Sequence, residues 1–149
     1  MIVRIYLDNC CYNRPYDDQS QIRIYLEAQA KLYIQGLIKD GQLELVNSYV
    51  LEYENGKNRL IQKRQMIADF VNGNESYYVG HEREKDIAKI AEPIIQTGIK
   101  EKDAFHVACA IYAQCDYFIT TDDRLLKYQV NQMPLVTPGE FIRRLEADQ

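Results

Sequence analysis

The amino-acid sequence predicts an α/β protein of three layers, α/β/α, with helices on both faces of a central, mostly parallel five-stranded sheet. Two observations carry that class. Short, β-branched apolar runs alternate along the chain with longer segments whose apolar residues recur at helical spacing, the order that βαβ units produce. The runs are also continuously apolar, as strands covered on both faces require. A third observation sets the domain count. The 149 residues hold no repeat, low-complexity tract or linker, so residues 1–149 are expected to form one domain with one sizeable core.

Ile2-Leu7 reads as a first, buried strand. From Ser20 to Ile38, the residues Ile22, Tyr25, Leu26, Leu32, Tyr33 and Leu37 are expected to form the apolar stripe of a helix. Gly41 resets the chain for a second strand, Leu43-Asn47, and Ser48 is placed as N-cap of one helix carrying Leu51, Leu60, Ile61, Ile67 and Phe70. Asn72-Gly73-Asn74 is a turn signal before a third strand, Tyr77-Val79. Ile87, Ala88, Ile90, Ala91, Ile94 and Ile95 repeat as a helix that Pro93 is expected to kink or break. Gly98 closes that helix, and another runs from Lys102 to Ala113. Tyr117-Ile119 makes a fourth strand and Leu135-Val136 a short fifth. Thr137-Pro138-Gly139-Glu140 has the form of a capping box, with Pro at the first helical position, for a last helix.

Composition narrows the function. Hydrophobic residues are 46% and charged residues 27% of the chain, a balance that excludes disorder. No apolar run approaches the ~20 residues of a membrane span. Ile2-Leu7 is too short for the apolar region of an export signal, so a cytoplasmic location is expected. The cysteines (Cys10, Cys11, Cys109, Cys115) form no metal-binding spacing and read as reduced thiols. Cys10-Cys11 is not read as a phosphatase nucleophile, because Tyr16 and Asp17 stand where a phosphate-cradling loop needs Arg. A net charge of −4 argues against a DNA-coating protein but admits a nuclease whose metal supplies positive charge to a phosphate.

Sheets of this type bind ligands at the carboxyl ends of their strands, near the point where strand order reverses. Asp8 ends the first strand there, and Asp122 follows the fourth after Thr120-Thr121. Asp103 opens a helix, and Glu54 lies in the helix after the second strand. Carboxylates gathered in one cleft repel unless a cation neutralises them, and hard oxygen donors suit Mg²⁺ or Mn²⁺. Such an ion serves phosphodiester hydrolysis by generating a metal-bound hydroxide.

Four stretches together resemble a known family. Ile5-Tyr6-Leu7-Asp8, Ser48 followed six positions on by Glu54, Asp103-Ala104-Phe105-His106, and the strand ending in Thr120-Thr121-Asp122 are similar, in order, to the motifs of PIN-domain ribonucleases, a group that includes VapC-like toxins. The resemblance implies a PIN-like fold and endoribonuclease activity on RNA with Mg²⁺ or Mn²⁺. It implies Asp8, Glu54, Asp103 and Asp122 as catalytic acids, with Asp8, Asp103 and Asp122 as metal ligands. An antitoxin protein and a homodimer are the partners it suggests.

Several assignments have rivals. Glu52 competes with Glu54, but the two lie about 200° apart around a helix, and Glu54 falls nearer the buried stripe. Asp123 competes with Asp122, but the Thr-x-Asp pattern points to Asp122 as the site acid, with Asp123 capping the next helix or supporting the site. Thr120 is a candidate to bond a carboxylate or a phosphate, and Arg14, Lys100 and Arg124 are candidate phosphate contacts. His106 is read first as a packing histidine and second as a base or phosphate contact. A phosphoacceptor domain is disfavoured because Asn9, not an acid, follows Asp8. A haloacid-dehalogenase-type phosphatase is disfavoured because Cys10 occupies its second acidic position. The remaining alternative is a PIN-like domain that binds RNA or protein without cutting.

Overall fold

The computed structural model describes residues 2–147. Its strands are β1 (Val3–Leu7), β2 (Leu43–Ser48), β3 (Glu75–Val79), β4 (Tyr117–Ile119) and β5 (Leu135–Val136). They form one sheet in the order β3-β2-β1-β4-β5, and every neighbouring pair is parallel, so the expected mostly parallel sheet is fully parallel. The helices are α1 (Asn9–Asn13), α2 (Ile22–Lys39), α3 (Tyr49–Gly56), α4 (Ile61–Asn74), α5 (Glu84–Gln96), α6 (Glu101–Tyr112), α7 (Asp123–Leu126) and α8 (Pro138–Ala147), with single 3₁₀ turns at Arg14–Tyr16 and His81–Arg83. No helix among the described residues is long and apolar enough to cross a membrane.

Alternation along the strands divides the core between the two faces. Tyr6, Val46 and Phe118 pack with Ile87, Ala91, Ile94, Ala104 and Val107 under α5 and α6. Ile5, Leu7, Leu45 and Ile119 pack with Ile34, Ile38, Ile67, Val71 and Phe141 under α2, α4 and α8. Gly41 and Gly98 take positive φ of 75° and 100°, which lets α2 and α5 end in tight turns.

The structure corrects several expected elements. The helix placed after Ser48 is two helices. Leu60 takes an extended conformation at the start of α4, and the Asn55 side chain crosses the break to donate to the Arg64 carbonyl (3.0 Å). Asn72-Gly73-Asn74 is the last turn of α4 and not a loop, with Asn74 Nδ2 donating back to the Phe70 carbonyl (2.8 Å), so β3 begins two residues early. Helix α5 runs through Pro93 without breaking. At the start of α8, Thr137 Oγ1 accepts from the Glu140 N–H (3.1 Å), but the Glu140 carboxylate pairs with Arg143 and Arg144 in place of closing the box.

The largest correction concerns α2. Its buried residues are Glu27, Ala28, Lys31, Ile34 and Ile38, whereas Ile22, Tyr25, Leu26, Leu32 and Tyr33 are exposed. Apart from Leu37, which packs against the core, the expected inward stripe is an apolar outer face, and two charged residues point inward. Glu27 is satisfied by Arg14 (2.8 Å) and Arg23 (3.2 Å). Lys31 donates to Gln35 Oε1 (2.6 Å) beside the rings of Tyr12 and Phe70, and no carboxylate pairs with it among the described residues.

Burial pulls the Lys31 ammonium down to about 8. The folded state therefore binds fewer protons than the unfolded one between that value and the ordinary lysine value of about 10.4, and stability gains from this group as pH rises through the window. Urea denaturation at pH 8 and pH 10 should show wild type gaining stability relative to Lys31→Met, which is itself the more stable protein at pH 7. A pH-independent difference between the two would contradict a strained, buried ammonium.

Candidate active site

The order of the sheet places a reversal at β1, because the chain builds β2 and β3 on one side of it and β4 and β5 on the other. The carboxyl ends of β1 and β4 thus flank the crevice. Asp8 leaves β1 there, its N–H donating to the Ile119 carbonyl (2.9 Å). It is 6% exposed and caps α1, a helix that sequence periodicity had not shown. Asp8 Oδ1 accepts from the Asn9 N–H (2.8 Å), and Oδ2 accepts from Thr120 Oγ1 (2.8 Å) and from the Cys10 thiol (3.4 Å). Thr120 Oγ1 also accepts from the Asp122 N–H (3.0 Å), so one buried hydroxyl ties both strand-end acids together. Thr120 is fully buried, and its hydroxyl is engaged with Asp8. Asp122 serves as cap of α7 through Oδ1, which accepts from the Arg124 N–H (2.9 Å). The cap expected at Asp123 is therefore Asp122 itself, and Asp123 turns outward to Arg23 (2.8 Å).

Glu54 enters from α3 and Asp103 from α6. A chain of polar contacts runs through the core to Glu54. Ser48, whose Oγ caps α3 by accepting from the Leu51 N–H (3.0 Å), meets the Tyr6 hydroxyl (2.7 Å). Tyr6 meets His106 Nδ1 (2.6 Å), and His106 Nε2 meets Glu54 Oε1 (3.0 Å). Lys102 Nζ holds the other oxygen, Oε2 (2.6 Å). Burial acts to raise the Glu54 pKa, but His106 and Lys102 outweigh it and hold the carboxyl at about 2. Asp103 behaves oppositely: burial and the negative charges of Asp8 and Asp122 push its pKa up. Asp103 therefore feels the charges of both strand-end acids. His106 is fully buried, in keeping with the packing role, yet it also faces the acids.

One donor atom each from Asp8, Glu54 and His106 lies within 4.8 Å of the others. Carboxylate crowding around Asp103, relieved only in part by Lys102, fits a divalent cation and its preference for oxygen donors. Of the expected metal ligands only Asp8 is in that close group; Asp103 and Asp122 are not, and the remaining sequence candidates also fall outside it. Glu52 is exposed and accepts from the Tyr78 hydroxyl. Arg14 is committed to Asp17 (2.9 Å) and Glu27 (2.8 Å), so its charge is matched inside the chain and a phosphate would have to displace them. Lys100 and Arg124 are exposed. Lys102 and Tyr6 were not read as site residues from sequence, and Cys10 was read only as a reduced thiol. Lys102 sits one residue before a motif acid, but nothing local marks Tyr6, whose role depends on contact with a residue 100 positions away.

No family model and no curated protein matches the chain by sequence. In fold it is similar to a chain of the crystal structure of VapBC2 from Rickettsia felis bound to a DNA fragment from their promoter, with a TM-score of 0.54, 13% identity, and coverage of 89% of this chain and 97% of that one. It is likewise similar to a chain of the crystal structure of FitAcB from Neisseria gonorrhoeae, with a TM-score of 0.51, 14% identity, and coverage of 91% and 98%. At these identities the likeness is one of fold: the α/β architecture is shared with chains from those complexes.

Proposed function

We propose that the chain is a metal-dependent endoribonuclease of the PIN type, hydrolysing RNA phosphodiester bonds at the carboxyl ends of β1 and β4. The observation that carries this reading is the convergence on Asp8 of acids from separate chain segments, with Thr120 fixing its carboxylate. Asp8, Asp103 and Asp122 would hold Mg²⁺ or Mn²⁺, with Glu54 beside them. A cation bound there supplies positive charge to the scissile phosphate and acidifies a water. Thr120 and the α1 N-terminus keep Asp8 oriented, the Ser48–Tyr6–His106 chain orients Glu54, and burial limits water around the acids.

The structural neighbours come from complexes whose names pair two components, VapBC2 and FitAcB. We read this chain as the toxin-type component, with an antitoxin protein or a second copy as partner. The apolar outer face of α2 suits a partner chain of either kind. The ion pair between Lys102 and Glu54 is the one feature favouring a domain that binds RNA or protein without cutting, since it neutralises an acid without a metal.

Incubating the purified protein with RNA and Mn²⁺ or Mg²⁺ tests the reading. Cleavage that stops on chelation and returns with excess metal is the expected result; intact RNA under all conditions supports the non-cutting alternative. Glu54→Gln should remove most of the activity, whereas Glu52→Gln, exposed on the other side of α3, should cut like wild type. Equal losses in both variants would show that Glu54 has no special place in the site.

A further inference from the structure

We propose that His106 is a nitrogen ligand to the metal, giving the site a mixed imidazole–carboxylate donor set that prefers Mn²⁺ to Mg²⁺. The inference rests on the metal reading given above and adds to it a residue from α6 and a choice of ion.

Geometry supports it first. His106 Nε2 and Glu54 Oε1 are 3.0 Å apart, and one donor atom each of His106, Glu54 and Asp8 lies within 4.8 Å of the others. An octahedral ion with bonds of ~2.1 Å sets neighbouring donors about 3.0 Å apart, so this pair already has the spacing of one octahedral edge. Glu54 can offer Oε1 to an ion while Oε2 stays with Lys102 (2.6 Å).

The surroundings of the ring supply the second argument. A ligating histidine needs its other nitrogen fixed by a partner that sets tautomer and orientation. Nδ1 has that partner in the Tyr6 hydroxyl (2.6 Å), which can accept from Nδ1–H and donate in turn to Ser48 Oγ (2.7 Å). Moving the ring proton from Nε2, where it bonds Glu54 Oε1, to Nδ1 frees the Nε2 lone pair for an ion held between Glu54 and Asp8. A lone pair aimed at carboxylates in a buried setting is unfavourable unless a cation lies between them. The ring cannot swing away, because it is 0% exposed and packs edge-on to Tyr6 at 5.7 Å between centroids.

The choice of ion follows from the donors. Imidazole binds Mn²⁺ and other first-row ions better than Mg²⁺, which favours oxygen ligands and retained water. An all-carboxylate site discriminates less between the two. His106, absent from a reading based on acids alone, would therefore set the metal preference.

Pulsed electron paramagnetic resonance on the full chain loaded with Mn²⁺ tests this without an activity assay. The expected spectrum carries ¹⁴N modulation from a coordinated imidazole, changed to the ¹⁵N pattern when the protein is made with ¹⁵N-histidine. The chain has only two histidines, and His81 is well exposed. His81→Asn should keep the modulation and His106→Asn should lose it. Competition binding should show the preference for Mn²⁺ over Mg²⁺ falling by about 10-fold in His106→Asn, in line with the loss of a ligand or its support. Mn²⁺ bound without nitrogen modulation in wild type overturns the assignment of His106 while leaving a carboxylate metal site standing. Modulation that disappears in His81→Asn also overturns it. No Mn²⁺ bound at all overturns both this assignment and the metal reading beneath it. Isotope labelling of wild type decides the point even if His106→Asn does not fold.

Discussion

In Asp8→Asn, metal-dependent RNA cleavage should fall by at least ~100-fold while the protein stays folded, because a ligand is lost and little else changes. Asparagine preserves size, and its Oδ1 can still accept from the Asn9 N–H at the start of α1. The Thr120 hydroxyl, which now donates to Asp8 Oδ2, can rotate to accept from the new amide. Removing one charge also relieves Asp103, whose pKa is pushed up partly by Asp8, so thermal stability without metal should be equal or higher. Single-turnover cleavage with and without chelator, alongside circular-dichroism melting, provides the measurement. A folded Asp8→Asn protein that cuts RNA at the wild-type rate, with chelator-sensitive kinetics, would exclude the strand-end site.

Phe118→Ala should cost about 3–5 kcal/mol of stability, the usual range for truncating a fully buried aromatic side chain. Phe118 is 0% exposed and stacks on Tyr6 with ring centroids 5.3 Å apart and planes 9° from parallel. The loss would be a large share of the 5–15 kcal/mol that holds a typical domain together. Tyr6 would lose the surface that keeps its hydroxyl against His106, so the damage should reach the polar chain leading to Glu54. Urea titration reads the first effect. A loss below ~1 kcal/mol would mean that the two rings do not form the packing described.

Much of the fold was legible because its strands are short and apolar without interruption. Leu43-Asn47, Tyr117-Ile119 and Leu135-Val136 each coincide with a strand or lie one residue short of it. The helices were less legible where side-chain contacts override local signals. Ile22, Leu26 and Tyr33 have the spacing of a buried stripe, yet Glu27 and Lys31 occupy the inside because Arg14, Arg23 and the rings of Tyr12 and Phe70 receive them. Periodicity reports that a face is apolar, not what covers it. In the site, Asp8 and Asp122 stood out because a strand end is a position that sequence marks, and helical phase separated Glu54 from Glu52. Tyr6 and His106 could not be linked in advance, since their contact comes from register between β1 and α6 across the sheet.

The central place of β1 bears on the order in which the protein can be made. Of the five strands, the one made first is the one whose neighbours arrive late: β2 some forty residues on, and β4 only with Tyr117–Ile119. The Thr120 hydroxyl that holds Asp8 closes a loop of 112 residues, and Asp122 follows two residues later. Closing so long a loop is entropically costly and slow until the intervening βαβ units are in place. A nascent chain stalled before residue 117 would thus carry Asp8, Glu54 and Asp103 without the strand that gathers them. Competence is delayed until Thr120, 112 residues after Asp8, has been added, which separates the making of the first acid from the onset of whatever the acidic cluster does.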